Sequence, residues 1–396
     1  MYESIFKINN KQKLNAIVID NFYEDPIKVR EFALSQKIDI TGCFPGTRTA
    51  PFVSTDIKNK IQKIVGSYGK NCNMYLDYND EENEKNNNNN NGSFFINTIN
   101  SENAWIHNDS DMSYSCIIYL TPNVSLSSGT SVLIPLDDKI KQDRKTGIDK
   151  TKWIEIDRIG NKFNKMLIFD CQQYHVPNNY FGIDKEDGRL TQVIWFNFSK
   201  TPEKSVERNS PYPCNLNYNH NCDFIVIDDF YEDPNNVREF ALSQKFHITG
   251  DFLGSRTDCF ITNDIIKKIE SYLYQYDVDM TKIRSPRFGS GSFQYITSKY
   301  KPEVDIDNNS DWSGIIFLTP DANEKTGIRF YDYHDINATL ETMKKYSKDM
   351  TKWNETDKIY HKFNRLILFN SKKWHSMAEH FGLDQYDSGL FQMFFI

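Results

Sequence analysis

The sequence lacks the segments that would place a chain in or across a membrane. No apolar run in its 396 residues approaches the length of about 20 residues that a membrane-spanning helix needs. The opening residues MYESIFKINNKQKLN also lack the basic, apolar and small-residue order of a signal peptide. We therefore expect a cytoplasmic protein with no membrane contact.

Positive charge and paired cysteines are also scarce. The chain has 47 Lys and Arg against 54 Asp and Glu, a net charge of −7, which argues against a broad nucleic-acid-binding face. Its seven cysteines form no C-x-x-C pair, so a zinc ribbon is not expected and the thiols are predicted to be reduced. Apolar residues make up 39% and aromatic residues 14%, which excludes wholesale disorder.

The main feature of the sequence is an internal duplication. Residues 16–35 read AIVIDNFYEDPIKVREFALS, and residues 224–243 read FIVIDDFYEDPNNVREFALS. The similarity continues to NYFGIDKEDGRLTQVIWF in the first copy and EHFGLDQYDSGLFQMFFI in the second. We predict two tandem domains, 1–205 and 223–396, joined by a polar, proline-bearing linker at 206–222. Such an intrachain domain pair can replace a homodimer, which makes a monomer compatible with the sequence.

Each copy is predicted to be a β-rich α+β domain with flanking helices. A strand at Ala16–Asp20 precedes a helix that Asp25 caps and Pro26 begins. From about Ser93 onward, short β-rich runs separated by turn residues favour a sandwich or barrel: SFFINTI, SCIIYLTP, TSVLIP, KMLIFD and TQVIWFNF. The Asn-rich insertion at 81–92, EENEKNNNNNNG, has no apolar groups to bury, and we expect it to be a surface loop without fixed structure.

Histidine is rare in the first copy, which contains only His107 and His175. Asp109 follows His107 by two residues, and alternate residues near a strand end can turn toward the same metal. Two imidazoles and one carboxylate on one face of an octahedral iron leave three positions open. Arg189 follows His175 by fourteen residues, and its planar guanidinium suits the far carboxylate of a keto-acid. Thr191, one alternation further, can add a hydroxyl to the same group.

This order of residues resembles a known signature: H-x-D, a distal His, and then Arg followed two residues later by Ser or Thr. It is that of the Fe(II)/2-oxoglutarate-dependent dioxygenases. Residues 92–196 look like the catalytic core of that superfamily, which is a double-stranded β-helix, or jelly roll. The resemblance implies two tandem jelly rolls, of which the first is the oxygenase.

The resemblance also implies a role for each matching residue. His107, Asp109 and His175 would hold Fe(II). Arg189, together with Thr191, would bind the C5 carboxylate of 2-oxoglutarate. With O₂ as the second co-substrate, the implied activity is hydroxylation of a substrate, a protein side chain or a small molecule, that the sequence does not identify.

The second copy departs from this pattern. The matching positions hold, in order, Asp305, Asp307, His375, Gly389 and Phe391. One imidazole has become a carboxylate and the arginine is absent, so keto-acid binding is not expected there. Hard oxygen ligands can still hold a divalent ion weakly. We predict a degenerate, structural second domain.

Other interpretations of these residues stay open at this point. The whole chain could be a catalytically inactive binding or assembly protein made of two jelly rolls. It could also be a cupin-like isomerase or metal-binding protein that uses no keto-acid. Arg189 could be a surface strand residue paired with Asp187 or Glu186, and Thr191 simply a β-former. Residues present in both copies, such as Tyr23 and Asn164, are interpreted as structural.

Overall fold

The computed structural model describes residues 3–42, 44–66, 73–75, 91–109, 112–140, 143–199, 221–248, 252–276, 278–284, 289–307 and 309–396. Most of the insertion at 81–92 and nearly all of the linker predicted at 206–222 lie outside these residues. The chain divides into two compact units. We call Ala16–Cys222 the N-terminal unit, and Met1–Asn15 together with Asp223–Ile396 the C-terminal unit. Among the described helices, none is long and apolar enough to cross a membrane.

The first half of the chain alternates short strands with a few short helices. Its strands are β1 (Lys13–Asp20), β2 (Thr47–Pro51), β3 (Asn73–Tyr75), β4 (Ser93–Asn97), β5 (Tyr114–Tyr119), β6 (Thr130–Pro135), β7 (Trp153–Ile159), β8 (Met166–Asp170), β9 (Tyr174–Pro177) and β10 (Arg189–Ser199). Its helices are α1 (Pro26–Ser35), α2 (Thr55–Gly66) and α3 (Arg144–Ile148). As predicted, the Asp25 side chain caps α1 by accepting a hydrogen bond from the Lys28 amide, and Pro26 begins the helix.

The strands of the N-terminal unit form two antiparallel sheets. The larger has the order β1-β8-β5-β10-β4-β2, and β3 also pairs with β10. The smaller has the order β7-β6-β9, and an isolated bridge joins His107 to His175 of β9. A jelly roll has two four-stranded sheets, and this unit has that arrangement. One sheet is β4-β10-β5-β8, and the other is β7-β6-β9 extended by the segment that the bridge at His107 pairs with β9. The predicted β-rich class and jelly-roll topology are therefore present in this unit.

The second half repeats the same series of elements. Its strands are β11 (Asn221–Asp228), β12 (His247–Ile248), β13 (Ser255–Cys259), β14 (Ser292–Ile296), β15 (Trp312–Phe317), β16 (Gly327–Tyr333), β17 (Trp353–Tyr360), β18 (Leu366–Asn370), β19 (Trp374–Met377) and β20 (Gly389–Phe395). Its helices are α4 (Pro234–Leu242), α5 (Asn263–Leu273) and α6 (Leu340–Lys345).

The sheets of the C-terminal unit reproduce those of the N-terminal unit. The larger sheet has the order β11-β18-β15-β20-β14-β13-β12, and the smaller has the order β17-β16-β19. Even the irregularities match, because the register shift in β6 after Val132 recurs in β16 after Phe330. Both copies of the duplication therefore build the same jelly roll.

The N-terminal segment of the chain differs from the predicted boundary of the first domain. Residues 1–15 belong to the C-terminal unit, not to the domain predicted at 1–205. Phe6 is only 1% exposed and packs edge-on against Phe240, with their ring centroids 5.4 Å apart. The Asn9 amide donates to the Phe230 carbonyl at 2.9 Å. The physical reason for the difference is that burial of Phe6 and these backbone bonds fix the segment on the second copy.

Candidate metal and co-substrate site

The three predicted metal ligands come together in the N-terminal unit. One ligand atom from each of His107, Asp109 and His175 lies within 4.8 Å of the others. The Asp109 carboxylate reaches both imidazoles, with Oδ1 3.6 Å from Nε2 of His107 and Oδ2 3.7 Å from Nε2 of His175. Separations of this size leave room for a cation among the three groups.

Backbone pairing brings the ligands together across the small sheet. The His175 amide donates to the His107 carbonyl at 2.8 Å, and the His107 amide donates back at 3.2 Å. The Asp109 amide donates to the Cys171 carbonyl at 2.8 Å, which brings the carboxylate back over the same pair of strands. The H-x-D spacing brings both side chains to the cluster, because His107 pairs with His175 and Asp109, two residues later, points to the same side.

Both imidazoles are oriented with the same nitrogen toward the cluster. Nδ1 of His107 donates to the Trp105 carbonyl at 2.8 Å, and Nδ1 of His175 donates to the Gln173 carbonyl at 2.9 Å. A proton on Nδ1 of a neutral ring leaves the lone pair on Nε2. In each ring Nε2 is the atom that faces Asp109. This second set of hydrogen bonds is the arrangement that holds metal-binding histidines in place.

Burial keeps His175 neutral. Its side chain lies against Phe169, with the ring centroids 4.8 Å apart. Burial, helped by the neighbouring His107, lowers the pKa of His175 to about 4, although Asp109 acts in the opposite direction. A neutral imidazole is the form that binds a metal.

Arg189 begins β10 and is buried, with 4% of its surface exposed. Its Nε donates to the Ser128 carbonyl at 3.4 Å, and its guanidinium carbon lies 5.5 Å from the centroid of the Tyr119 ring. Its second terminal nitrogen, Nη2, is buried without a hydrogen-bond partner. Among the described residues Arg189 forms no ion pair, which is costly for a buried cation unless a ligand supplies the missing charge.

The structure does not support the interpretation of Arg189 as a surface residue paired with Asp187 or Glu186. Asp187 is engaged in its own turn, where its carboxylate accepts from the amides of Ile183 and Asp184. The Glu186 carboxylate lies 3.8 Å from Lys185. The guanidinium of Arg189 is thus free to meet a ligand.

Several polar side chains lie around Arg189, and we call this group of residues the Arg189 pocket. Thr191 pairs with Tyr119 in the register of β10 and β5, and the Tyr119 hydroxyl shares a hydrogen bond of 2.7 Å with the Thr130 hydroxyl. Asn161 donates to the Ser128 hydroxyl at 3.1 Å, and its carbonyl oxygen is buried without a partner. Unpartnered polar atoms in a buried pocket are a common sign of an absent ligand.

Tyr180 also belongs to this pocket. Burial raises its pKa to about 12, although the nearby Arg189 guanidinium acts to lower it. The phenol therefore stays protonated at neutral pH, as a potential hydrogen-bond donor.

The C-terminal unit replaces almost every polar group of this pocket. Tyr119, Thr130, Asn161, Tyr180, Arg189, Thr191 and Trp195 correspond to Phe317, Ile328, His361, His380, Gly389, Phe391 and Phe395. A Cβ built on Gly389 would lie 3.2 Å from the Phe381 ring and 3.8 Å from His361. At the position of Arg189, the C-terminal unit thus has a small cavity, whose walls include Gly389, Phe381 and His361.

The metal-site positions of the C-terminal unit keep their backbone but not their clustering. The Asp305 amide donates to the His375 carbonyl at 2.9 Å, and the Asp307 amide donates to the Ser371 carbonyl at 3.0 Å. The part of the chain that the structure describes nevertheless contains only one group of three metal-binding side chains, the one at His107. The second unit therefore retains the loop geometry of the site without the ligand set.

Sequence reasoning missed Asn161, Tyr119, Tyr180 and Trp195. The signal was available in the duplication itself, because each of these residues differs between the two copies. A position-by-position comparison of the copies would have identified them.

Neither protein-family models nor curated proteins match the chain. Similar solved structures include a prolyl hydroxylase from Trichoplax adhaerens in complex with a hypoxia inducible factor peptide. It is 12% identical, its TM-score is 0.18, and the match covers 43% of this chain and 88% of that one. An oxalate decarboxylase from Lactobacillus farciminis is 9% identical over 77% of this chain and 82% of that one, with a TM-score of 0.19. TM-scores this low carry no argument, so the jelly-roll topology rests on the strand pairing alone.

Proposed function

We propose that the N-terminal unit is an Fe(II)- and 2-oxoglutarate-dependent oxygenase that hydroxylates a protein side chain or a small molecule. The observation that supports this proposal is the presence of two complementary sites in one jelly roll. One is a cluster of two imidazoles and a carboxylate, and the other is a buried arginine that has no anionic partner among the described residues.

The donor set fits the metal. His107, Asp109 and His175 offer two nitrogen ligands and one oxygen ligand, the combination that binds non-haem Fe(II) and leaves open coordination positions. The Nδ1 hydrogen bonds fix both rings, so little reorganisation is needed when the metal binds. Iron, O₂ and 2-oxoglutarate would together supply the oxidising chemistry, with succinate and CO₂ as the products of the co-substrate.

The pocket residues account for binding of the co-substrate. Arg189 presents a planar pair of donors to a carboxylate, and the buried setting strengthens such an ion pair. The Thr191 hydroxyl is available on the same face of β10. Burial of Arg189 and Thr191 excludes water from the charged end of the ligand.

The test is an anaerobic titration with Fe(II) and 2-oxoglutarate, followed by the visible charge-transfer band of bidentate keto-acid chelation. We expect the band to saturate at one iron per chain. Arg189→Ala should weaken 2-oxoglutarate binding by about 2 kcal/mol or more, roughly 30-fold, because a charged carboxylate loses its partner. Arg189→Lys should recover only part of the loss, since Lys cannot bind in the paired geometry.

The matched control is His175→Ala against His375→Ala. The first should abolish the band and the second should leave it unchanged. Absence of the band in folded wild-type protein would favour the catalytically inactive jelly-roll scaffold. Metal binding that is indifferent to Arg189→Ala would favour a metal-binding jelly roll that uses no keto-acid. Two irons per chain would mean that the second unit is also a metal site.

A further inference from the structure

Trp195 makes a direct contact with the candidate metal site that the H-x-D…H…R-x-T pattern does not include. It lies on β10, on the same face as Arg189 and Thr191, because residues at even spacing along a strand share a face. Its indole nitrogen donates a hydrogen bond to Oδ2 of Asp109 at 2.9 Å. A tryptophan nitrogen is a donor only, so this contact requires the oxygen to act as an acceptor.

The indole is held firmly at this position. Its ring packs edge-on against Phe95, with the ring centroids 6.2 Å apart. The Trp195 amide donates to the Asn91 side chain at 3.0 Å, and the Asn91 side chain donates to the Trp195 carbonyl at 2.7 Å. The Trp195 backbone is also paired with Ser115 of β5, so the donor is carried by a strand of the sheet.

The Asp109 carboxylate needs such a contact, because its two oxygens are almost equally placed. Oδ1 lies 3.6 Å from His107, and Oδ2 lies 3.7 Å from His175. A carboxylate with two equivalent oxygens can turn about its last bond, or bind a cation through both atoms. A hydrogen bond to Oδ2 alone makes the two oxygens different.

We propose that Trp195 is a positioning residue for the metal site, which fixes the Asp109 carboxylate through Oδ2 and leaves Oδ1 as the oxygen that binds the metal. This inference rests on the proposed function only in requiring a divalent metal at His107, Asp109 and His175. It adds to the site a residue that contacts a ligand and does not itself bind the metal.

The C-terminal unit provides an internal comparison. Phe395 occupies the position of Trp195 and has no donor. Asp307, the counterpart of Asp109, instead accepts from the Ser310 hydroxyl and from the Asn309 amide, both in its own loop. Its carboxylate is therefore held by its own loop rather than by a strand. Loss of the indole and loss of the ligand cluster thus occur together in the same unit.

The test is a titration of the wild type and of Trp195→Phe with Co(II), followed by its visible absorption. Phenylalanine keeps an aromatic ring against Phe95 and removes the N–H group, as the second unit has done naturally. Loss of a hydrogen-bond partner of a metal ligand typically weakens metal binding about 10- to 100-fold. We expect a loss in this range, together with a changed Co(II) spectrum, because the carboxylate is no longer held through one oxygen.

Two control variants separate this role from packing. Trp153→Phe removes the indole N–H of another tryptophan of this unit, which donates to the Thr146 carbonyl at 3.0 Å and not to a metal ligand, and should leave the Co(II) affinity within about twofold. Phe395→Trp changes the matching position of the C-terminal unit and should have no effect. Thermal denaturation of each metal-free variant reports whether it is folded, and Trp195→Leu replaces Trp195→Phe if the latter unfolds.

The outcomes distinguish this inference from the proposed function. Wild-type protein that binds no Co(II) would overturn the metal site and the role of Trp195 together. Wild-type binding with an unchanged affinity and spectrum in Trp195→Phe would overturn the positioning role alone. An equal loss in Trp153→Phe would also overturn it, since general packing in this unit would then explain the effect.

Discussion

The two units of this chain share a strand order but differ in the side chains around the position of Arg189. Both have a jelly roll with the same order of core strands, and the register shift of β6 recurs in β16. The pocket of the N-terminal unit is polar and contains a buried arginine, whereas the pocket of the C-terminal unit contains Gly389 and aromatic rings. Because the fold persists without Arg189 and its neighbours, these residues are not needed to build it. Their presence in one unit points to a ligand.

The contacts that are common to both units show what the fold does require. Asn164 has a positive φ of 65°, and its side chain accepts from the Tyr23 amide and donates to the Tyr23 carbonyl. Asn364 has the same φ and the same two bonds to Tyr231. Asparagine tolerates this backbone conformation better than most residues. These residues support a turn, as their presence in both copies predicted.

The largest effect is expected from a change in the residues before Ala16, which belong to the C-terminal unit. Phe6→Ala removes a fully buried ring from the C-terminal unit and should cost about 3 to 5 kcal/mol of unfolding free energy. Thermal denaturation measures the loss, while Co(II) binding at His107 should persist. Lys11→Ala, at an exposed position of the same segment, is the control. Loss of the metal site together with stability would mean that the segment supports the N-terminal unit as well.

A second experiment concerns His361, which occupies in the C-terminal unit the position that Asn161 has in the N-terminal unit. His361 stacks on Phe317 with the ring centroids 4.2 Å apart, and both its nitrogens are buried without a well-aligned hydrogen bond. Burial lowers the pKa of His361 to about 3, helped by Arg238 and opposed by the Thr319 carbonyl. Between about pH 6.5 and pH 3 the unfolded chain binds a proton that the folded chain does not, so stability falls as the pH falls.

His361→Asn gives the C-terminal unit the residue of the N-terminal unit and removes this titration. We compare the unfolding free energy of the variant with that of the wild type at each pH. This difference should be about 2 to 3 kcal/mol more favourable to the variant at pH 4.5 than at pH 7.5. Urea unfolding at the two pH values measures it. Asn161→His is the reciprocal variant and should introduce the same pH dependence into the N-terminal unit. Parallel stability profiles of wild type and His361→Asn would contradict the prediction.

A third experiment asks whether the lost arginine can simply be restored. Gly389→Arg places a long side chain in a small cavity whose walls, Phe381 and His361, would lie 3.2 and 3.8 Å from its Cβ, so we expect overpacking to cost about 1 to 3 kcal/mol. No second equivalent of 2-oxoglutarate should bind in the charge-transfer titration. Ser388→Ala, which changes the residue next to the altered position, is the control. A second binding equivalent would show that the C-terminal pocket is still open.

The smallest effect concerns a pair of hydroxyls. Tyr119→Phe leaves the buried Thr130 hydroxyl without its 2.7 Å hydrogen bond, at a cost of about 1 to 3 kcal/mol. Adding Thr130→Ile completes the apolar pair of the C-terminal unit, Phe317 and Ile328, and should recover most of the loss. Unfolding free energies of both single variants and the double variant form a cycle. Strict additivity would mean that the two hydroxyls do not act as a pair.

Much of the architecture could be predicted because the duplication constrains it. The helix at α1 followed from Asp25 and Pro26, and the β-rich core followed from runs of apolar residues between turns. The grouping of His107, Asp109 and His175 followed from their spacing, and the structure brings these side chains together. Their role as metal ligands stays a prediction until the titration is done.

The rest depends on contacts that have no local signal. Similarity between the copies begins at Ala16, so nothing in the sequence assigns the preceding residues to either unit. Phe6 finds its partners more than 220 residues away, at Tyr231, Phe240 and Phe293. The bond from Trp195 to Asp109 likewise joins residues 86 positions apart and depends on the register of β10. Such pairs are set by three-dimensional packing rather than by motif spacing.

The position of the N-terminal segment has a consequence for synthesis on the ribosome. Residues before Ala16 leave the ribosome ahead of the N-terminal unit, but the strands and rings they pack against lie between Asp223 and Ile396. At about 5 to 20 residues per second, translation of the intervening chain and of the second unit takes roughly 20 to 75 s. During that time Phe6 has no native partner, while the N-terminal unit already has its complete sequence. This segment is therefore made before the N-terminal unit but folds after it, and nascent chains halted before Asp223 should expose it to chaperones and proteases.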